Sequence, residues 1–256
     1  MLSINENKEF KKFATNLTDI SGKNIKQYFR NNFSVELKSD DSPVTIADKT
    51  TEEKLRELIM KEYPDHGILG EEFGKHNEGA EYQWILDPID GTKSFICGAV
   101  TFGTLIALMK NNEPVLGVFH QPILNELLIG DNLTTELNGN KVEINDVVSI
   151  DKAVLLTTDH FAIGEYQNLD KFEALAKKVK LYRQWGDCYG YYLVASGFAQ
   201  IMMDPIMSIW DSMALIPIIN GAGGIITDYQ GKNPITGQSI IAATPNLHKE
   251  VISMLN

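Results

Sequence analysis

Two aspartates three residues apart close an apolar run in Trp84-Ile85-Leu86-Asp87-Pro88-Ile89-Asp90-Gly91-Thr92-Lys93-Ser94-Phe95. Hard cations such as Mg²⁺ take carboxylate, carbonyl and water oxygens, and Asp87, the Ile89 carbonyl and Asp90 offer such a set on one strand-end loop. Pro88 has no N–H and is expected to stop a central strand. Asp90, Gly91 and Thr92 then make a turn that opens a helix, and the first N–H groups of a helix form a ready anion site. Gly91 lets a ligand come close to the backbone, and the Thr92 hydroxyl can orient a water. Either aspartate alone would read as a helix cap or turn residue; the whole string points to chemistry.

Phosphatases that use an aspartyl nucleophile carry Asp-x-Asp-Gly-Thr after an apolar strand. Here one more residue, and a proline, separates the acids, which misplaces the second acid relative to the first. A water nucleophile is expected, with no phospho-aspartate. Further acids stand at Glu71-Glu72 after Gly70, at Asp211 in Ser208-Ile209-Trp210-Asp211, and at Asp48 three residues after Thr45. The Glu pair also fits solvated surface charge. Asp211 and Asp48 each also fit a capping box, in which an acid at the third helical position bonds back to the cap. Lys38 could approach these acids, although exposed charge is the default for a lysine.

The elements that must hold these groups follow from periodicity. Phe10, Phe13, Ala14, Leu17 and Ile20 lie at helical spacing, extended by Ile25, Tyr28, Phe29 and Phe33. A second helix is expected over 45–63, packing through Leu55, Leu58 and Ile59 and stopped by Pro64. Residues 103–109 and 115–119 flank a turn and predict an antiparallel hairpin, with further strands at 127–129 and 141–144. Later segments alternate: strands at 153–157, 199–203, 224–227 and 239–242, and helices at 168–179, 189–196, 208–220 and 247–255. This pattern divides the chain into an α+β part, 1–147, and an α/β part, 148–256, that would supply Asp211.

The chain has 256 residues, 43% of them hydrophobic and 22% charged, an ordinary globular composition. Its 23 basic and 34 acidic residues leave a net charge of −11. A surface that acidic repels nucleic-acid backbones, whereas a phosphorylated small molecule can still bind where a metal inverts the local field. Cys97 and Cys188 show no framework or CxxC spacing and suggest a reducing compartment. The polar start lacks the apolar stretch of a signal peptide, and no segment is apolar enough to span a membrane, so a cytoplasmic protein without membrane contact is expected. Cys97 and the methionines at 202, 203 and 207 are expected to pack. His66, His76, His120, His160 and His248 have no ligand spacing and are expected to be surface or satisfied structural residues.

Taken together, Lys38-Ser39-Asp40-Asp41-Ser42-Pro43-Val44-Thr45 with Asp48, Gly70-Glu71-Glu72, Asp87-Pro88-Ile89-Asp90-Gly91-Thr92 and Trp210-Asp211 before Gly221-Ala222-Gly223-Gly224 resemble the inositol monophosphatase family of lithium-sensitive, Mg²⁺-dependent phosphatases. The resemblance covers nearly the whole chain, in order. It implies a layered αβαβα sandwich, commonly a homodimer, of the inositol monophosphatase and fructose-1,6-bisphosphatase type. It implies roughly two or three Mg²⁺ ions per site, held by Glu71, Asp87, the Ile89 carbonyl, Asp90 and Asp211. Asp87 would bridge two ions, and Gly91 and Thr92 would hold phosphate. Thr92, with Glu71 through a water, would orient the nucleophile, and Asp48 would stand behind them. Two carboxylates about 4 Å apart repel by roughly 4 kcal/mol at an effective dielectric of 20, so such a cluster calls for cations. Phosphate monoesters are among the slowest esters to hydrolyse in water, which sets the demand on metal, anion cradle and water together.

Within the family, the 90–98 string, Phe102-Gly103-Thr104, Gln121-Pro122 and Gly186-Asp187-Cys188-Tyr189 look most like the histidinol-phosphate phosphatase branch, which acts in histidine biosynthesis. Asp187 could pair with the ammonium or imidazole of histidinol phosphate, or could simply cap a helix. Trp210-Asp211-Ser212 looks more like the inositol type. Inositol monophosphates, 3′-phosphonucleotides and sugar phosphates remain alternatives, as does a catalytically silent binding protein on the same fold.

Overall fold

The computed structural model describes residues 2–31, 35–37, 43–147 and 149–256. Phe33, Lys38 and the rest of the 38–42 string lie outside the described residues. The chain opens with helix α1 (Ile4–Tyr28), started by a capping box in which Ser3 and Glu6 bond reciprocally. A two-stranded ribbon, β1 (Val35–Leu37) with β2 (Pro43–Thr45), leads to α2 (Ile46–Glu62). Thr45 caps α2 and Tyr63 ends it, just before Pro64.

Next come β3 (Gly67–Gly70), β4 (Gly74–His76), β5 (Tyr82–Asp90), the short helix α3 (Thr92–Ile96), β6 (Gly103–Lys110), β7 (Glu113–Gln121), β8 (Glu126–Gly130), β9 (Thr135–Leu137) and β10 (Asn140–Val142). They form one sheet in the order β10-β9-β8-β7-β6-β5-β3-β4. The hairpin between β6 and β7 turns on Asn111 and Asn112, both at positive φ, the geometry that suits a tight antiparallel turn.

A 3-10 turn at Ile150–Lys152 precedes β11 (Val154–Leu156), α4 (His160–Tyr166), α5 (Leu169–Ala176), β12 (Leu181–Arg183), α6 (Asp187–Ala195), β13 (Ile201–Asp204), α7 (Ile209–Ser212), α8 (Leu215–Gly221), β14 (Ile225–Thr227), β15 (Ile240–Ala243) and α9 (Pro245–Leu255). These strands make a second sheet, β12-β11-β13-β15-β14.

Strand alternation sorts the side chains into layers. Trp84, Leu86, Ile106, Leu108, Leu116 and Val118 turn outward onto α1 and α2. Ile85, Leu105, Ala107 and Phe119 turn inward, where Tyr191 and Val194 of α6 and Leu215, Ile218 and Ile219 of α8 join them with Met202 and Ala242 of the second sheet. The outer face of that sheet, Leu155, Ile201, Met203 and Ile241, packs on Phe172 and Leu175 of α5 and Leu247 and Val251 of α9. The five layers run α, β, α, β, α, as the resemblance implies. Both sheets are apolar on both faces, so each buries twice what a one-sided sheet could.

Several expected boundaries differ: α1 ends at Tyr28 with Phe29 as its cap, β10 covers 140–142 rather than 141–144, and α5 covers 169–176 rather than 168–179. Pro88 does not stop its strand: β5 continues to Asp90, while its pairing with β6 shifts register between Asp87 and Asp90. The proline sits in that bulge, where its missing N–H breaks no ladder bond, and its carbonyl accepts from Thr104 Oγ1 at 2.8 Å. The helix expected over 208–220 is two helices, α7 and α8, separated at Met213 and Ala214. Met202 and Met203 are fully buried and Met207 packs on the central cluster, as expected, but Cys97 is exposed. His120 is half-buried and its buried Nδ1 has no partner among the described residues, so it is not the satisfied residue expected. Among the described residues no helix is long and apolar enough to cross a membrane.

Candidate active site

Asp87 and Asp90 end β5, and α7 brings Asp211 against them from the other half of the chain. One carboxylate oxygen from each lies within 4.8 Å of the others. The bulge makes this possible. In a regular strand Asp87 and Asp90 would point to opposite faces; the extra residue turns both toward α7. Asp87 is 2% exposed and its Oδ1 accepts the Ile89 N–H at 2.9 Å. Asp90 Oδ2 accepts the Cys188 N–H at 2.5 Å, at the start of α6. Asp211 Oδ2 accepts the Ser208 N–H at 2.8 Å in the capping box. The cap and the cluster are thus one arrangement: capping fixes which way Asp211 points.

Burial, then neighbouring negative charge, raises Asp87 and Asp90 well above the ordinary carboxylate range. Burial chiefly pushes Asp211 to about 7. Glu71 adds to the repulsion on both Asp87 and Asp211, which places its charge beside the cluster. It follows β3 directly, and its N–H donates to the Leu86 carbonyl at 3.1 Å. Carboxylates that burial and mutual repulsion both disfavour, with an oxygen-only donor set, fit a hard divalent cation.

Asp48 is fully buried beneath the site. It closes the α2 capping box by accepting Thr45 N–H at 2.8 Å and Thr45 Oγ1 at 2.5 Å, and burial lifts it to about 6. The Thr92 hydroxyl lies 3.0 Å from the Ile89 carbonyl and 3.5 Å from Asp48 Oδ1. Gly91, the residue before α3, has φ +84°, and a Cβ there would meet the Thr101 carbonyl at 2.9 Å.

Asp187 is the first residue of α6, at φ +41°, and accepts from Ser94 Oγ at 2.8 Å. Burial raises it to about 7. It lines a cavity of about 460 Å³ together with Asp90, Lys93, Asp204, Asp211 and residues of α4.

Glu52 and Arg56 were not visible as functional residues in the sequence. The Glu52 carboxylate, fully buried on α2, accepts the N–H groups of Glu72 at 2.8 Å and Phe73 at 3.2 Å, and Arg56 Nη1 lies 3.1 Å from it. The loop carrying Glu71 hangs on this carboxylate. Gly70 has no alternative: a Cβ there would sit 1.9 Å from Glu52 Oε1. The signal in the sequence was only a Glu-x-x-x-Arg pair on the α2 pattern, which ordinarily reads as surface charge.

A sequence model of the inositol monophosphatase family matches residues 6–256. A chloroplastic bifunctional phosphatase, IMPL2, of Arabidopsis thaliana is 43% identical over 234 residues, 90% of this chain and 67% of its own length. A histidinol-phosphatase of Chlorobaculum parvum is 37% identical over 245 residues, covering 94% of this chain and 95% of that protein. The solved structure of an inositol monophosphatase from Zymomonas mobilis superposes with a TM-score of 0.87 at 34% identity, covering 99% of both chains.

Proposed function

This chain belongs to the inositol monophosphatase family and is a phosphoric monoester hydrolase, and from that premise we propose that its ester is histidinol phosphate, hydrolysed by water with Mg²⁺ as the resident cation. The observation that carries the choice of ester is the charge around the cavity. Asp159, Glu165, Asp187 and Asp204 line it beyond Asp90 and Asp211, against a single lysine, Lys93, among the described lining residues. A polyol offers nothing to balance that surplus; an ammonium and an imidazole do. The proteins named histidinol-phosphatase, at 33% identity or more in Chlorobaculum parvum and Mycobacterium tuberculosis, support the same reading.

In the proposed mechanism Glu71, Asp87, the Ile89 carbonyl, Asp90 and Asp211 hold the cations. Bound cations supply charge neutralisation for the clustered acids and for the phosphoryl oxygens, and acidify a water. The N–H groups that open α3 face the phosphate, with Gly91 leaving room for its approach. Thr92, donating its one proton to Asp48, turns a lone pair toward the attacking water. Glu71 accepts a proton from that water. Asp187 pairs with the imidazole of the leaving alcohol. The part from residue 148 onward thus contributes Asp211 and substrate selection to a phosphate site built by residues 1–147. A cytoplasmic homodimer is part of the proposal, supported by the family and by two cysteines that are both free.

Phosphate release with and without Mg²⁺, measured side by side on histidinol phosphate, inositol 1-phosphate and adenosine 3′,5′-bisphosphate, tests this. Histidinol phosphate is expected to give the highest kcat/KM. Preference for inositol 1-phosphate would instead support a second reading, which the Zymomonas mobilis inositol monophosphatase favours. No Mg²⁺-dependent release from any of the three would overturn the assignment.

A further inference from the structure

The carboxylates around the 460 Å³ cavity differ in what already occupies them. Asp90 and Asp211 accept backbone N–H groups. Asp159 caps α4 through the Phe161 N–H, Asp187 accepts from Ser94, and Asp204 accepts from the Thr158 N–H and the Tyr191 hydroxyl. Among the described residues nothing engages Glu165.

Glu165 is displayed by a helix whose own position is fixed. Ile163 of α4 is fully buried in the outer cluster, and Gln167 Nε2 donates to the Pro205 carbonyl at 3.1 Å just beyond the helix end. With that side anchored, Phe161, Ala162, Glu165 and Tyr166 line the cavity together. These are two i, i+4 pairs on one helix face. Phe161 is 81% exposed and Tyr166 53%, an unusual display for aromatic rings, and both line the cavity with the unspent carboxylate. A carboxylate and two aromatic rings lining one cavity together can recognise an organic cation, attracted to the rings as well as to the charge.

Resting on the reading of the site as one for an amino-alcohol phosphate, we infer that α4 is the specificity wall of the enzyme: Glu165 accepts the substrate's ammonium, and Phe161 and Tyr166 pack against its heteroaromatic ring.

The test compares wild type with Glu165→Gln, Glu165→Asp and Phe161→Ala. The kcat/KM ratio of histidinol phosphate to inositol 1-phosphate is expected to fall about tenfold in Glu165→Gln, carried mainly by KM, with partial recovery in Glu165→Asp. Phe161→Ala should lower the same ratio. An equal loss on both esters would overturn the inference, since it would mark Glu165 as merely structural. A separate arm uses L-histidinol as an inhibitor of p-nitrophenyl phosphate hydrolysis. Its inhibition constant should rise about tenfold in Glu165→Gln; an unchanged constant would overturn the inference. If wild type prefers inositol 1-phosphate to histidinol phosphate, the functional reading falls. The histidinol inhibition constant still decides the role of Glu165 on its own.

Discussion

The Cys188 N–H donates to Asp90 Oδ2 across 98 residues of sequence, so the first turn of α6 holds a carboxylate that closes β5. Asp90 therefore has a fixed direction before any ligand arrives. An Asn in its place keeps an oxygen for that N–H but loses the charge. Asp90→Asn is expected to fold with an unchanged circular dichroism spectrum and to lose activity by roughly a thousandfold or more. Mg²⁺ binding by calorimetry should weaken in parallel. Normal turnover in this variant would remove Asp90 from the site.

In the proposed mechanism Thr92 orients the attacking water, its hydroxyl lying 3.0 Å from the Ile89 carbonyl and 3.5 Å from Asp48 Oδ1. Thr92→Ala should lower kcat by about a hundredfold with little change in KM, and Thr92→Ser should restore most of it. Steady-state kinetics on the preferred ester distinguishes this from a packing defect, which serine would not repair.

Glu52 and Gly70 form a lock for the loop that carries Glu71. Glu52→Ala leaves two amide N–H groups and the Arg56 guanidinium without their acceptor, a loss of about 3 kcal/mol in a denaturant titration. Gly70→Ala forces the new methyl into the Glu52 carboxylate and is expected to weaken Mg²⁺ binding even where the protein still folds.

The raised carboxylates predict how pH and metal act together. Asp48 and Asp204 are lifted to about 6 and Asp211 to about 7, mainly by burial. In each the neutral form is favoured by the fold. The stability this gives in acid is lost as pH rises through the folded-state values, so the metal-free protein should melt lower at pH 8 than at pH 5.5. Mg²⁺ competes with the proton on Asp211. It should raise Tm by roughly 5 °C or more at pH 8 and by much less at pH 5.5, as scanning calorimetry can read. A Mg²⁺ effect that grows toward acid would contradict the assignment of Asp211 to the cation.

Much of this site was legible because its chemistry is written in contiguous strings. Asp87-Pro88-Ile89-Asp90-Gly91-Thr92 carries the acids and the turn together, although not the bulge that lets β5 run through Pro88, and Thr45 with Asp48 announces a helix start by local bonding alone. What stayed hidden depends on distant partners. Glu52 meets Glu72 only because β3 returns beside α2. The three-residue strands β9 and β12 are too short to show periodicity and exist because a neighbouring strand pairs with them. α4 presents no clear apolar stripe, since Ile163 is its one buried residue while Phe161 and Tyr166 stay exposed.

Where α4 sits has a consequence for divergence. The acids that would hold cations end β5 and start α7, both interlocked with the central layer, so changing them disturbs the core. The cavity-facing positions of α4 are exposed or half-buried and can be rewritten one codon at a time. A lineage could keep its hydrolytic apparatus intact and still migrate from one phosphorylated metabolite to another by drifting through that single seven-residue helix.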